Sequence, residues 1–353
     1  RGIRGIRGIC LILIVSWGLG LRLFSFEKVL PGGLYLLRFF GYLWVIGNAG
    51  ELLSQVKKFI TPALWVFVIL GWVQYLFLPD TRFLLQYGWD EHYYRMIGTV
   101  LDPNYLGIML GVIGVFAIEK EEGRRKREEG EKIWKRSNFW LAAWALGGLA
   151  VTYSRAAWLA TGAGLSFFVI PYLIRNLYKF FYIDSPIKSE NDSGGPGMTM
   201  KILMGLLFFG LVLYVVPKPG GEGVNLFRTN SIEQRIESWR EGINVWREHP
   251  WLGVGFNNYA VAKAHGNSRI ITGSNRINNA ENSPSSSWIL LLATIGVIGL
   301  GWLAMVGWLA VRNLNGLWIG ILMMIGIHAV FNNTIFFPPV LGLLALIKAA
   351  SAD

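Results

Sequence analysis

Apolar runs close to twenty residues long recur along this chain, separated by short polar connections, and that recurrence limits the fold more than any other feature. A bilayer core about 30 Å thick is crossed by roughly 20 helical residues. Within hydrocarbon, every backbone amide must find its partner inside its own segment or a closed barrel. Repeated runs of this length therefore predict an all-α fold, a polytopic helical membrane protein. Ten spans are read, at about 8–24, 34–50, 60–78, 104–118, 139–153, 156–173, 202–216, 286–310, 317–331 and 339–348.

Charge sets the expected orientation. The 353 residues carry a net charge of +11, which taken alone would suit nucleic acid. Much of that excess lies in short loops between spans, a pattern better explained by membrane topology. Loop 119–136, "EKEEGRRKREEGEKIWKR", holds eight Lys/Arg among six glutamates, and loop 174–201 adds Arg175, Lys179, Lys188 and Lys201. Placing these loops in the cytoplasm puts both termini there too and leaves the outer loops poor in cations. The single cysteine, Cys10, excludes a disulfide framework and a thiol metal site. No nucleic-acid partner, cofactor or metal is expected.

The chain then divides into helices one to seven over 1–216, an extracytoplasmic loop over 217–285, and C-terminal helices over 286–353. The loop contains "NSIEQRIESWREGINVWREHP", in which Ile232, Ile236, Trp239, Ile243 and Trp246 recur at 4-3-4-3 spacing. That spacing predicts an amphipathic helix over about 231–249. Ser231 with Gln234 forms a candidate capping box, and Pro250 with Gly253 marks the stop. The helix suits either the membrane interface or packing on its own spans. Arg235, Arg240 and Arg247 occupy its polar face.

Arginines collect at one side of this topology. The 139–173 region is too long for one span and reads as a hairpin, with "TYSR" at its outer turn. Arg155 then lies at the outer membrane edge, Arg38 a few residues inside the outer end of span two, and Arg22 near the end of span one. Guanidinium groups bind phosphate through a planar fork of donors and stay charged when partly desolvated. A lipid diphosphate would complement such a cluster.

With those residues in view, the sequence resembles the O-antigen ligase and polymerase superfamily over about 95–345. The resemblance is carried by "GTVLDPNYLG" (98–107), "TYSRAAWLA" (152–160), "RIESWREGINVWREHPWLGVGFNNY" (235–259) and "LLLATIGVIGL" (290–300). It implies a multi-pass glycosyltransferase of the bacterial cytoplasmic membrane. Such an enzyme moves a glycan from undecaprenyl diphosphate to an acceptor hydroxyl on a glycan or lipid, at the outer face and without a metal. By resemblance, Arg155 and Arg235 contact the diphosphate, with Arg38, Arg269 and Arg276 as further candidates for that role.

One departure stands out. Ligases of this superfamily carry His-Asn (or Ser, Gln), nine residues, then Gly-x-x-Gly, with the histidine proposed as base. Counting back from Gly296 and Gly299 places Ser285 and Ser286 there. A neutral serine is a poor general base, which leaves Glu281 and His265 as candidates. The departure adds weight to a polymerase that joins lipid-linked repeats. A non-catalytic lipid-glycan binder or a transporter is the alternative outside the enzyme class. "GVGFNN" (253–258) lacks a dinucleotide fingerprint's third glycine and reads as a turn. Asp102 and Pro103 read as the start of span four, and His249, His92 and His328 as structural.

Overall fold

The computed structural model describes residues 2–125, 137–167, 207, 209–215, 224–225, 229–265, 283–312 and 314–351. The described residues are helical, with one isolated antiparallel bridge between Asp80 and Tyr93. In chain order the helices are α1 (Gly2–Gly20), α2 (Phe26–Leu52), α3 (Lys57–Phe77), α4 (Pro103–Arg125), α5 (Ser137–Val151), α6 (155–167) and α7 (209–215). They continue with α8 (Asn230–Glu248), α9 (Tyr259–His265), α10 (Ser287–Val311), α11 (Gly316–Phe331) and α12 (Pro338–Ser351). Among the described residues, three stretches are long and apolar enough to cross a membrane: Phe26–Leu52, Ser54–Phe77 and Ser287–Val311. Ile9–Gly20, Ser137–Val151, Gly316–Phe331 and Pro338–Ser351 are shorter apolar helices. The expected spans at 156–173 and 202–216, and the basic loops at 119–136 and 174–201, lie partly or wholly outside the described residues.

The chain forms two compact units. One contains Arg1–Lys58, Arg228–Asn313 and Ala329–Asp353; the other contains Phe59–Phe227 and Leu314–His328.

The second unit is built around α4, which is buried on every side from Leu106 to Ile118. A helix apolar all round needs neighbours all round, and its glycines let them approach. Leu110 packs where Gly148 of α5 has no side chain, and Leu146 of α5 packs over Gly114, so α5 runs antiparallel to α4. Ala157 and Thr161 of α6 face Gly107 and Gly111 in matching order, so α6 runs parallel to α4. Helices α5 and α6 therefore form the hairpin expected from the sequence, with residues 152–154 as its turn. The connection before α4 is tied down as well: the Gln74 side-chain oxygen accepts from the amides of Ile97 (2.8 Å) and Gly98 (3.1 Å).

In the first unit, α1, α2, α10 and α12 enclose a core of Leu13, Leu36, Phe39, Leu291, Ile295, Phe336 and Leu341. Phe256 joins this core from the segment that follows α8, with its ring 5.8 Å from Phe336 and 6.4 Å from Phe39. That segment is thus anchored among the apolar helices rather than lying over them.

Helix α8 forms where its periodicity places it, with two corrections. The capping box at Ser231 and Gln234 is not formed. The Thr229 carbonyl already accepts from Ile232 and Glu233, so the helix starts earlier and Ser231 falls inside its first turn. The packed face also differs from the apolar stripe. Gly242 and Val245 are buried against α10, whereas Ile232 and Ile236 are exposed. Gly242 decides this, because a side chain there would meet Ile289 and Pro284. The helix therefore packs on its own spans, which turns Arg235 inward to half-burial and leaves Arg240 and Arg247 exposed.

Candidate functional site

Arg155 opens α6. Ser154, immediately before it, caps the helix: its hydroxyl oxygen accepts from the Ala157 amide at 3.4 Å. The residue ahead, Tyr153, is fully buried and holds a left-handed backbone at φ 51°. Such a conformation costs a residue with a Cβ about 1–3 kcal/mol and persists only where its surroundings enforce it. Here segment 95–104 does so. The Met96 amide donates to the Val151 carbonyl (3.0 Å), and Arg95 Nε donates to the Thr152 carbonyl (2.9 Å). The Ser154 hydroxyl donates to Asn104 Oδ1 (3.0 Å). Three bonds, to Val151, Thr152 and Ser154, therefore fix the turn that precedes Arg155.

The same segment supplies the Asp102 cap expected for α4, accepting from Asn104 (2.6 Å) and Tyr105 (3.1 Å). Burial pushes the Asp102 carboxyl above its ordinary value, against the pull of the Tyr105 and Asn104 amides and the Arg95 charge. "GTVLDPNYLG" and "TYSRAAWLA" are thus two sides of one latch. Arg155, half-buried, sits at the end of α6 where the helix dipole is already positive. A cation there is unfavourable alone, and the two positive features together suit an anion.

Substituting Ser154→Ala should cost about 1 kcal/mol, the usual loss for a cap. It should lower activity by more than that loss of fold explains, because the residue it releases is Arg155. Denaturation midpoint and turnover measured on one preparation separate the two effects.

Arg235 lies in the other unit. Its Nη2 donates weakly to Asn332 Oδ1 at 3.5 Å, and its guanidinium carbon lies 6.0 Å from the Phe331 ring centroid. Segment 331–335, "FNNTI", is secured by Ser287. That hydroxyl donates within 3.2 Å of the Asn332 carbonyl and Asn333 Oδ1, and it accepts from the Ile335 amide at 3.2 Å. Ser286 is the N-cap of α10: it accepts from the Ile289 amide and donates to the Ala329 carbonyl. Ser285 precedes the cap, with its amide bound to Ser238 Oγ of α8 at 2.9 Å.

Ten residues after Ser286, α10 breaks. Gly296 has φ 66° and ψ −174°, a region open essentially to glycine alone. Intact helix geometry would pair the Val297 amide with the Ala293 carbonyl, and Ile298 with Thr294. Instead Val297 and Ile298 donate to Pro250 and Trp251 at 3.0 and 3.2 Å. The freed Ala293 and Thr294 carbonyls accept from Val254 and Gly255 at 3.0 and 2.9 Å, and Thr294 also accepts from Ser16 Oγ. These two amides and two carbonyls are all re-paired by "HPWLGVG", as an apolar surrounding demands. Gly253 has φ 68° and touches the Thr294 backbone, so it too must be glycine. The spacing from Ser286 to Gly296 is the length of the first half-helix.

Residues 140–304 match the family model described as O-Antigen ligase. Over that stretch the chain is similar to the O-antigen ligase family. Together with the apolar helices, the match supports a membrane protein similar to the O-antigen ligase or polymerase type. Comparison with curated proteins gave no match. Within the matched stretch lie the α5–α6 turn with Arg155, helix α8 with Arg235, and the α10 break.

The other candidates fare differently. Arg38 is exposed on α2, its guanidinium 5.7 Å from the rings of both Tyr35 and Tyr42. Arg22 is exposed in the turn after α1. His265 ends α9, which is tied to α8 by a 2.7 Å ion pair between Lys263 and Glu241. Glu281, Arg269 and Arg276 lie outside the described residues. His249 ends α8, as expected, and "GVGFNN" is a turn. His328 is buried with its ring 6.3 Å from Tyr105. Sequence reasoning missed Arg95, Asn332 and Ser287. Arg95 sits in a segment with no periodicity, and the two polar residues look unremarkable until the ends of α10 and α11 are known.

Proposed function

We propose that this protein transfers a glycan from a polyprenyl diphosphate to an acceptor hydroxyl at the outer face of the cytoplasmic membrane. The observation that carries the reading is Arg155, placed at the positive end of α6 by a strained, three-bond latch within the ligase-family region. The acceptor oxygen attacks the anomeric carbon, the carbon–oxygen bond to the diphosphate breaks, and polyprenyl diphosphate departs with the electron pair. Guanidinium groups aimed at that departing charge supply the main electrostatic stabilisation in such a site. Arg155 takes this role in one unit and Arg235 in the other, the latter by family resemblance and by its inward orientation on α8. Arg38, Arg269 and Arg276 remain weaker candidates for the same charge.

The hydroxyl proton needs an acceptor. Ser285 does not supply one, and Glu281 and His265 are the candidates for the base. Unchanged turnover in Glu281→Gln would remove the first. The serine in the family's histidine place also favours the second reading, a polymerase whose acceptor is another lipid-linked repeat. Gene deletion followed by analysis of lipid-linked intermediates decides between them. Accumulated full-length polymer on its carrier indicates ligation and accumulated single repeats indicate polymerisation. Unaltered intermediates contradict both and leave a non-catalytic binder or transporter.

A further inference from the structure

Two buried donors in the patch around Arg235 find no acceptor among the described residues. Trp239 Nε1 and Ser285 Oγ are both buried and have no hydrogen-bond partner among the described residues. Trp239 follows Arg235 by one helical turn on the same face of α8. Both residues meet Phe331, the indole with a ring-centroid separation of 6.2 Å and the guanidinium carbon at 6.0 Å. Ser285 is brought to the same place by its amide bond to Ser238, the residue before Trp239. The three groups therefore share one patch of the first unit.

An indole N–H can only donate, and so can a guanidinium. Buried polar atoms are nearly always satisfied in native proteins, so two orphans in the same patch as one cation call for an explanation. A ligand rich in acceptor oxygens and carrying negative charge satisfies all three groups. Phosphoryl oxygens fit this description, since when ionised they accept and do not donate.

Resting on the glycosyl-transfer reading above, we propose that Trp239 Nε1 and the Ser285 hydroxyl donate to the lipid diphosphate alongside Arg235. In this account the residue in the family's histidine place holds the leaving group instead of taking a proton. The role requires a donor, which serine supplies.

The test is binding of undecaprenyl diphosphate to the full-length protein in detergent, with undecaprenol and inorganic pyrophosphate as parallel probes. The proteins compared are wild type, Trp239→Phe, Ser285→Ala, Arg235→Ala and, as a control at an exposed ring on α2, Trp44→Phe. Phenylalanine keeps an aromatic ring against Phe331 and removes only the N–H. Each of the first two variants should bind undecaprenyl diphosphate roughly tenfold more weakly, the scale of one hydrogen bond to a charged group. Neither should change binding of undecaprenol. Without ligand, both should melt at the same temperature as wild type or higher, because a buried donor with no partner has been removed. A merely structural role would lower the melting temperature instead.

Affinities within twofold of wild type in both variants, while Arg235→Ala weakens binding, would overturn this proposal and leave Arg235 as the ligand contact. Equal weakening towards inorganic pyrophosphate and the lipid would assign the patch to the phosphates alone. Weakening confined to the lipid would show that the chain seats the headgroup. Both results support the donors. If wild type does not bind the lipid diphosphate, or Arg235→Ala binds it normally, the glycosyl-transfer reading itself fails at this residue.

Discussion

Replacing Arg155 by alanine is expected to lower glycan transfer by about 10²–10³-fold, the usual consequence of removing one charge-stabilising donor from a water-poor site. Lysine at the same position should recover only part of that loss. It restores the charge but replaces a planar fork with a single point donor. The protein should still fold, because bonds from the 95–104 segment to Val151, Thr152 and Ser154 hold the turn. Arg240 provides the contrast: its side chain is 72% exposed and faces away from α10. Arg240→Ala should retain transfer within twofold. The comparison uses initial rates with a lipid-linked donor at equal amounts of folded protein.

The second large effect is on the fold. Gly296→Ala should destabilise by roughly 4 kcal/mol or more, at the exceptional end of single substitutions. Two independent causes combine. The φ of 66° with ψ near 180° is closed to alanine, and a Cβ there would overlap the Trp251 backbone. Relief requires withdrawing "HPWLGVG" from the break, which would orphan four backbone groups in hydrocarbon at several kcal/mol each. Gly301→Ala, one and a half turns further along α10, meets no atom within 4 Å and should be neutral or slightly stabilising. Levels of membrane-inserted protein and thermal midpoints in detergent distinguish the two substitutions. If Gly296→Ala accumulates and melts like wild type, the bond exchange at the break does not carry the fold.

Much of this architecture was legible because bilayer length and helical periodicity leave few choices. The α5–α6 hairpin followed from a stretch too long for one span, and α8 from its 4-3-4-3 pattern. Asp102 and Pro103 announced the start of α4. The break in α10 was hidden, since "LLLATIGVIGL" is apolar throughout and a lone glycine in a span usually marks packing. Only the backbone bonds to residues 250–255 reveal what Gly296 does. The packed face of α8 was misjudged for a related reason. Hydrophobicity selected Ile232 and Ile236, while close approach at Gly242 selected the neighbouring face. Arg95 could not be found from pattern, because its role depends on a carbonyl fifty-seven residues away.

The family motifs gain a physical meaning from these contacts. Ser286 caps the first half of α10, Gly296 ends it, and the His249–Gly255 segment completes the broken ladder. Helix α8, which carries Arg235, leads directly into that segment. Its position is therefore fixed at one end by backbone bonds and along its face by Gly242.

The most direct measurement is a double-mutant cycle on Arg155 and Arg235. Transfer from an undecaprenyl-diphosphate-linked glycan would be followed with wild type, Arg155→Ala, Arg235→Ala and the double variant. Groups that act as a unit on one charge are strongly non-additive. Each single variant should lose at least about a hundredfold, and the double variant should lie within about tenfold of the worse single. A single variant that keeps the wild-type rate, or two penalties that multiply in full, would contradict a shared hold on the lipid diphosphate.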